Sequence, residues 1–200
     1  MDSFIPTSRS VGHSLLTHAF CAMWCVHYAN RALVYPLRQA LRKPMHIGVG
    51  LASCMFNSIN GYLNGRWLAV FSGGLYNETY LYTHKWRVLF GLCLFVLGMA
   101  GNIYHDNILL RLRRPASGKS NNRYSVPEGG LFAVVSCPHY FCEVVEWVGF
   151  AILTQSPAAW TFVLSTLCNL LPRAYSIHKW YMREFPKYPT NRKAMIPCVI

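Results

Sequence analysis

Residues 88–110 read VLFGLCLFVLGMAGNIYHDNILL, and this run constrains the chain more than any other feature. A helix of that length spans the roughly 30 Å hydrocarbon core of a bilayer. Four further stretches, 15–35, 47–63, 140–154 and 158–181, are apolar enough to accompany it. Apolar types make up 53% of the 200 residues and charged types 13%, against about a quarter charged in an ordinary soluble domain. Disorder, coiled coil and a secreted disulfide scaffold do not fit these figures. The expected architecture is all-α, a polytopic transmembrane bundle of about five helices forming a single membrane-embedded domain over residues 1–200.

The net charge of +12 resembles that of a nucleic-acid binder, but such a protein needs a solvated basic face on a soluble fold. Here the basic residues lie between the apolar stretches. Arg38, Arg42 and Lys43 follow the first. Arg111, Arg113, Arg114, Lys119 and Arg123 follow the third, and Arg173, Lys179, Arg183, Lys187, Arg192 and Lys193 end the chain. Alternate crossings bring all three groups to one side, which the excess of Lys and Arg marks as cytosolic. The sequon Asn77-Glu78-Thr79 then faces the lumen. The N-terminus does not read as a signal peptide, and Cys198 is followed by too few residues for a prenylation box. The 8 cysteines contain no CxxC pair. Cys137-Pro138-His139 with Cys142 lacks a second matching pair, so no metal site is expected.

Polar groups inside a bilayer are costly and tend to line cavities or pair with one another. Asn102, His105 and Asp106 interrupt the end of the central run, with Arg113 two helical turns beyond Asp106 on the same face. His139, Glu143 and Glu146 recur on one face of the next helix. Arg173, His178 and Tyr181 close the last one. Arginines at the cytosolic mouth above deeper carboxylates and aromatics suit a nucleotide cofactor, and equally the head group of an anionic lipid. Two dehydrogenase-like motifs carry no weight. Gly48-Val49-Gly50-Leu51-Ala52-Ser53 follows no strand, and Tyr175…Lys179 has no doubly wound sheet before it.

In order along the chain, several segments resemble the steroid 5α-reductase family, most closely its plant-type members. They are Val26-His27-Tyr28…Arg31…Val34-Tyr35-Pro36, Gly101-Asn102-Ile103…Asp106…Arg113, and Tyr124…Pro127-Glu128-Gly129-Gly130-Leu131-Phe132. After these come Ser136-Cys137-Pro138-His139-Tyr140…Glu143…Glu146-Trp147 and Asn169-Leu170…Pro172-Arg173…His178-Lys179-Trp180-Tyr181. The resemblance implies a multi-pass enzyme of the endoplasmic-reticulum membrane with seven helices and a cytosolic C-terminus. With NADPH it would reduce the carbon–carbon double bond of a 3-oxo-4-ene steroid or related lipid enone. It implies Tyr28 as the donor that polarises the substrate carbonyl. It places Asn102, Asp106, Arg113, Tyr124, His139, Glu143, Arg173, His178 and Tyr181 at cofactor-binding positions. Implied partners are the lipid substrate and membrane lipid, with no nucleic acid and no obligate protein partner.

Departures from the pattern keep alternatives open. Most members carry Asn where this chain has His139, and polyprenal-reducing relatives carry His. Ser125 stands where animal members have Arg. The family's seven helices exceed the five read here, and a missing one carries the acidic or amide partner of the tyrosine. The 200 residues are therefore expected to reduce enones poorly, with an N-terminally extended form regaining activity. A non-catalytic remnant, an enoyl-CoA or polyprenal reductase, and a methyltransferase using S-adenosylmethionine are the rival readings. The charge pattern predicts that protease added to sealed microsomes digests a C-terminal tag. A protected tag would contradict the proposed orientation.

Overall fold

The computed structural model describes residues 14–39, 44–112 and 125–200; Arg113 and Tyr124 lie outside them. Every regular element among the described residues is helical. Helix α1 (Leu15–Tyr28) continues through a wider π-type stretch, Ala29–Val34, into α2 (Tyr35–Arg38). Helix α3 (Ile47–Arg66) likewise runs into a π-type stretch, Trp67–Phe71. A short α4 (Glu78–Thr83) precedes α5 (Lys85–Leu112), α6 (Pro138–Thr154) and α7 (Pro157–Glu184). The five apolar stretches read from the sequence thus fall on five long helical rods.

Local chemistry fixes where these rods begin. Ser14, Asn77 and Ser156 accept hydrogen bonds from Thr17 N, Tyr80 N and Ala159 N at 3.2, 3.0 and 3.2 Å, satisfying backbone donors that a helix start leaves over. Pro138 and Pro157 occupy first turns, where no N–H is needed. At the other end of α6, Tyr76 and Tyr80 donate their phenol protons to Thr154 O and Leu153 O, each at 2.7 Å.

The closest packing joins α5 to α6. A Cβ on Gly98 would stand 2.7 Å from Cys142 O and from Glu146 Cα, and one on Gly91 would stand 2.9 Å from Gly149 O. Only glycine lets two backbones approach so closely. Beside this seam lies the main core, Phe95, Trp147, Phe150 and Phe162, with Trp24 of α1 packed on Trp147 at 4.8 Å between ring centroids. The glycines of α3 make no such contact. Gly61 has no neighbour within 4 Å of where a Cβ would be, and Gly50 meets only Met45 of its own segment.

Helix α3 is instead inverted relative to a soluble helix. Val49, Leu51, Met55 and Ile59 are exposed while Asn60 and Asn64 are buried. Lys85–Leu112 is the one helix among the described residues long and apolar enough to cross a membrane. The other four rods fall short for different reasons. Helix α6 has 17 residues, α7 turns basic after Arg173, α3 carries its asparagines, and the first rod is broken by the π-type stretch.

Gly98→Ala should destabilise the fold by about 2 kcal/mol, since the new methyl meets backbone atoms that cannot swing away. Gly61→Ala, with open space around it, should be neutral or stabilising by up to about 1 kcal/mol. Thermal denaturation of the two variants beside the parent checks both, and equal effects would contradict the packing described.

Candidate functional site

The π-type stretch at the end of α1 carries Arg31 on a widened turn, a geometry often found at functional sites. Its guanidinium reaches two other helices. Nη1 lies 3.1 Å from Asp106 Oδ2 of α5, and Nη2 lies 3.4 Å from Glu143 Oε2 of α6. The sequence suggested Arg113 as the partner of Asp106; the structure supplies Arg31, and Arg113 lies outside the described residues. One turn earlier His27 Nδ1 meets Glu146 Oε1 at 2.8 Å. The carboxylates of α6 that share a face in the sequence therefore have separate partners, both from the first rod.

Two cavities open around these pairs. A smaller one of about 250 Å³ is polar: Arg31, Asp106, Ser136, His139, Arg173 and Tyr181 contribute to its wall. A larger one of about 890 Å³ lies among α1, α3, α6 and α7. His27, Tyr28, Phe56, Asn57, Glu143, Phe162 and Asn169 line it. Arg31 and Arg173 belong to both walls. Among the described residues no carboxylate lies within 4 Å of Arg173, so its charge remains available to an anionic ligand.

Of the residues expected at a site, Asp106, His139, Arg173 and Tyr181 meet at the smaller cavity, and Tyr28 and Glu143 at the larger. Asn102 and His178 line neither. Asn102 Nδ2 donates to His139 O at 2.9 Å and so holds the first turn of α6. His178 Nδ1 lies 2.6 Å from Ser136 Oγ, which also meets the Tyr188 hydroxyl at 2.7 Å. That network sits behind the smaller cavity and ties α7 to the C-terminal tail. The tail is further held by Ser136 N donating to Lys193 O and Cys137 N donating to Ala194 O, at 2.8 and 3.0 Å. Tyr124, like Arg113, lies outside the described residues.

Three residues here were not singled out as site residues from the sequence. Arg31 and His27 stood in the first apolar stretch, and the cost of placing them there was the available signal. Asn57 had none. The Tyr28 hydroxyl donates to Asn57 Oδ1 at 3.0 Å, and Asn57 Nδ2 donates to Ser53 O at 2.8 Å, so the amide is held with its oxygen toward the phenol. Cys137, fully buried on the smaller cavity's wall, is unsuited to nucleophilic catalysis, because burial pushes its thiol up to about 12.

Residues 43–200 match the family model described as 3-oxo-5-alpha-steroid 4-dehydrogenase. Across 190 residues the chain is 43% identical to an uncharacterized protein of Schizosaccharomyces pombe, covering 88% of this chain and 65% of that protein. It is 40% identical over 178 residues to a steroid 5-alpha-reductase of Gossypium hirsutum, covering 86% and 66%. It is 38% identical over 195 residues to a 3-oxo-5-alpha-steroid 4-dehydrogenase 1 of Mus musculus, covering 98% and 73%. The chain spans 65% and 66% of the length of the first two.

Arg31→Ala should cost about 3 kcal/mol, because Asp106 and Glu143 would then share no cation in a poorly solvated place. Arg31→Lys, a point charge unable to fork between two carboxylates, should recover only part of that. Thermal unfolding of both variants checks this, and an Arg31→Ala protein as stable as the parent would contradict it.

Proposed function

The chain belongs to the 3-oxo-5-alpha-steroid 4-dehydrogenase family, and from that membership we propose that it reduces the carbon–carbon double bond of a 3-oxo-4-ene steroid or a related lipid enone with NADPH. The observation that carries the reading is the pair of cavities sharing Arg31 and Arg173. One is polar and cationic and suits the anionic cofactor. The other is broad and partly apolar, with Tyr28 the one phenol at its wall among the described residues, and suits a flat lipid ketone. When bound, NADPH supplies a hydride to the β carbon of the enone.

The chain's own residues do the rest. Arg173, with Arg113 by family position, would meet cofactor phosphates as charge-assisted donors. Asp106, His139, Glu143 and Tyr181 would orient the remainder of the cofactor. Tyr28 would donate to the substrate carbonyl oxygen, where negative charge develops as the double bond is reduced. Asn57 Oδ1 accepts the phenol's hydrogen bond in the absence of a ketone, so the phenol is already aimed at the cavity and turns from amide to carbonyl when substrate enters. The lipid-facing surface of α3 and the apolar α5 fit a multi-pass protein of the endoplasmic-reticulum membrane with its C-terminus cytosolic, and substrate arriving from the bilayer.

Product analysis of membranes expressing the protein, supplied with NADPH and a 4-en-3-one steroid, tests the reading directly. The saturated ketone is the expected product, formed slowly by these 200 residues and faster by an N-terminally extended form, and its absence with both would sink the proposal. Tyr28→Phe should lower turnover by about 100-fold or more, the scale of losing one oxyanion donor, with NADPH affinity nearly unchanged. Arg173→Ala and Arg113→Ala should each weaken NADPH binding by about 1.5–3 kcal/mol, as hydrogen bonds to charged groups do.

A further inference from the structure

The reaction just described leaves one proton unaccounted for. A hydride reaches the β carbon and the carbonyl oxygen is held by Tyr28, but the α carbon must also gain a hydrogen. On the wall of the same cavity stands His27, one half of a buried pair that this chemistry has not used. Glu146 is fully buried, and its Oε1 lies 2.8 Å from His27 Nδ1. His27 is buried too, yet it lines the larger cavity beside Tyr28. Trp147 packs edge-on against the imidazole at 4.5 Å between centroids, so ring position and tilt are fixed from two sides. A carboxylate in so dry a place is costly unless paired, and a histidine that served this pairing alone would not need to stand on a cavity wall.

We propose that His27 delivers the proton to the substrate's α carbon, with Glu146 as the positioning residue that orients and charges it. This rests on the enone-reductase reading above. Nδ1–H is given to Glu146, so Nε2 is the ring nitrogen left for the substrate. The carbon–carbon π bond breaks. The β carbon gains hydrogen with the electron pair supplied by the nicotinamide, which is oxidised. The α carbon takes the proton of Nε2–H, leaving a neutral imidazole still hydrogen-bonded to the Glu146 carboxylate, and solvent restores the lost proton. Tyr28, Arg31, His46, Glu143 and Arg173 also line this cavity, but among the described residues only Glu146 is within hydrogen-bond distance of the His27 ring.

The step can be read in reverse without cofactor. With Tyr28 polarising the carbonyl of the saturated ketone, His27 would remove an α proton and return a deuteron from D2O. Membranes holding the parent protein should therefore introduce deuterium at the α carbon on one face of the ketone, above the rate of control membranes. His27→Gln should lower this exchange by about 100-fold, the usual scale for a positioned acid or base. Glu146→Gln should lower it less and shift its pH profile, while NADPH binding in both variants reports an intact fold. Unchanged exchange in His27→Gln overturns the proposal, as does enone reduction by a parent protein that shows no exchange. Loss of NADPH binding in both variants would assign the pair to packing alone and also overturn it. A parent protein that neither reduces the enone nor exchanges the ketone overturns the proposed function, and this step with it.

Discussion

Everything at the site depends on how closely α5 and α6 approach. Gly91 and Gly98 on one helix and Gly149 on the other let the backbones meet at distances that exclude any side chain. Close backbone contact of this kind lets two helices gain van der Waals packing along their whole shared length, with polar pairing added beside it. The seam also sets the geometry of charge. It holds Asp106 of α5 and Glu143 of α6 near enough for one guanidinium to reach both. A looser contact would leave Arg31 a single partner and a second carboxylate stranded.

The polar pairs in turn set the register of the first rod. Arg31 meets Glu143 and His27 meets Glu146, so advancing along α1 means going back along α6, one turn for one turn. Sliding the rod by a turn would bring at most one pair back into contact and leave another ionisable group buried alone, at several kcal/mol. Aromatic packing of Trp24 on Trp147 and Phe162 supports this register but tolerates small shifts better than the two polar contacts do. The first rod is thus pinned by polar contacts and padded by rings.

Much of this was legible in the sequence. The five rods follow from apolar stretches of suitable length, and the family from ordered motifs such as Gly101-Asn102-Ile103 and Ser136-Cys137-Pro138-His139-Tyr140. Asp106, Glu143 and Arg173 could be flagged because ionisable groups in apolar helices are rarely idle. Partners were not legible. Asp106 and Arg31 are far apart in the chain, and helical spacing pointed to Arg113 instead. Nor was the close helix contact, because glycines at 48, 50, 61 and 65 look as suitable as those at 91, 98 and 149. Only the three-dimensional arrangement shows which glycines face a backbone. Asn57 was invisible for the same reason, since its role comes from a helix across the cavity and from Ser53 holding its amide.

These constraints together explain the aim of the phenol. His27 and Arg31 lie about one turn apart and are both held to α6, which fixes the rotation of α1 about its own axis. Tyr28 follows His27 by one residue and is turned roughly 100° from it around the helix. Its hydroxyl therefore points across the larger cavity toward α3, where Asn57 Oδ1 accepts its hydrogen bond. Trp24 and Trp147 flank the phenol ring at 5.3 and 6.1 Å between centroids. Its direction follows from the two polar contacts of His27 and Arg31 on the neighbouring face, set by the three glycines where α5 meets α6.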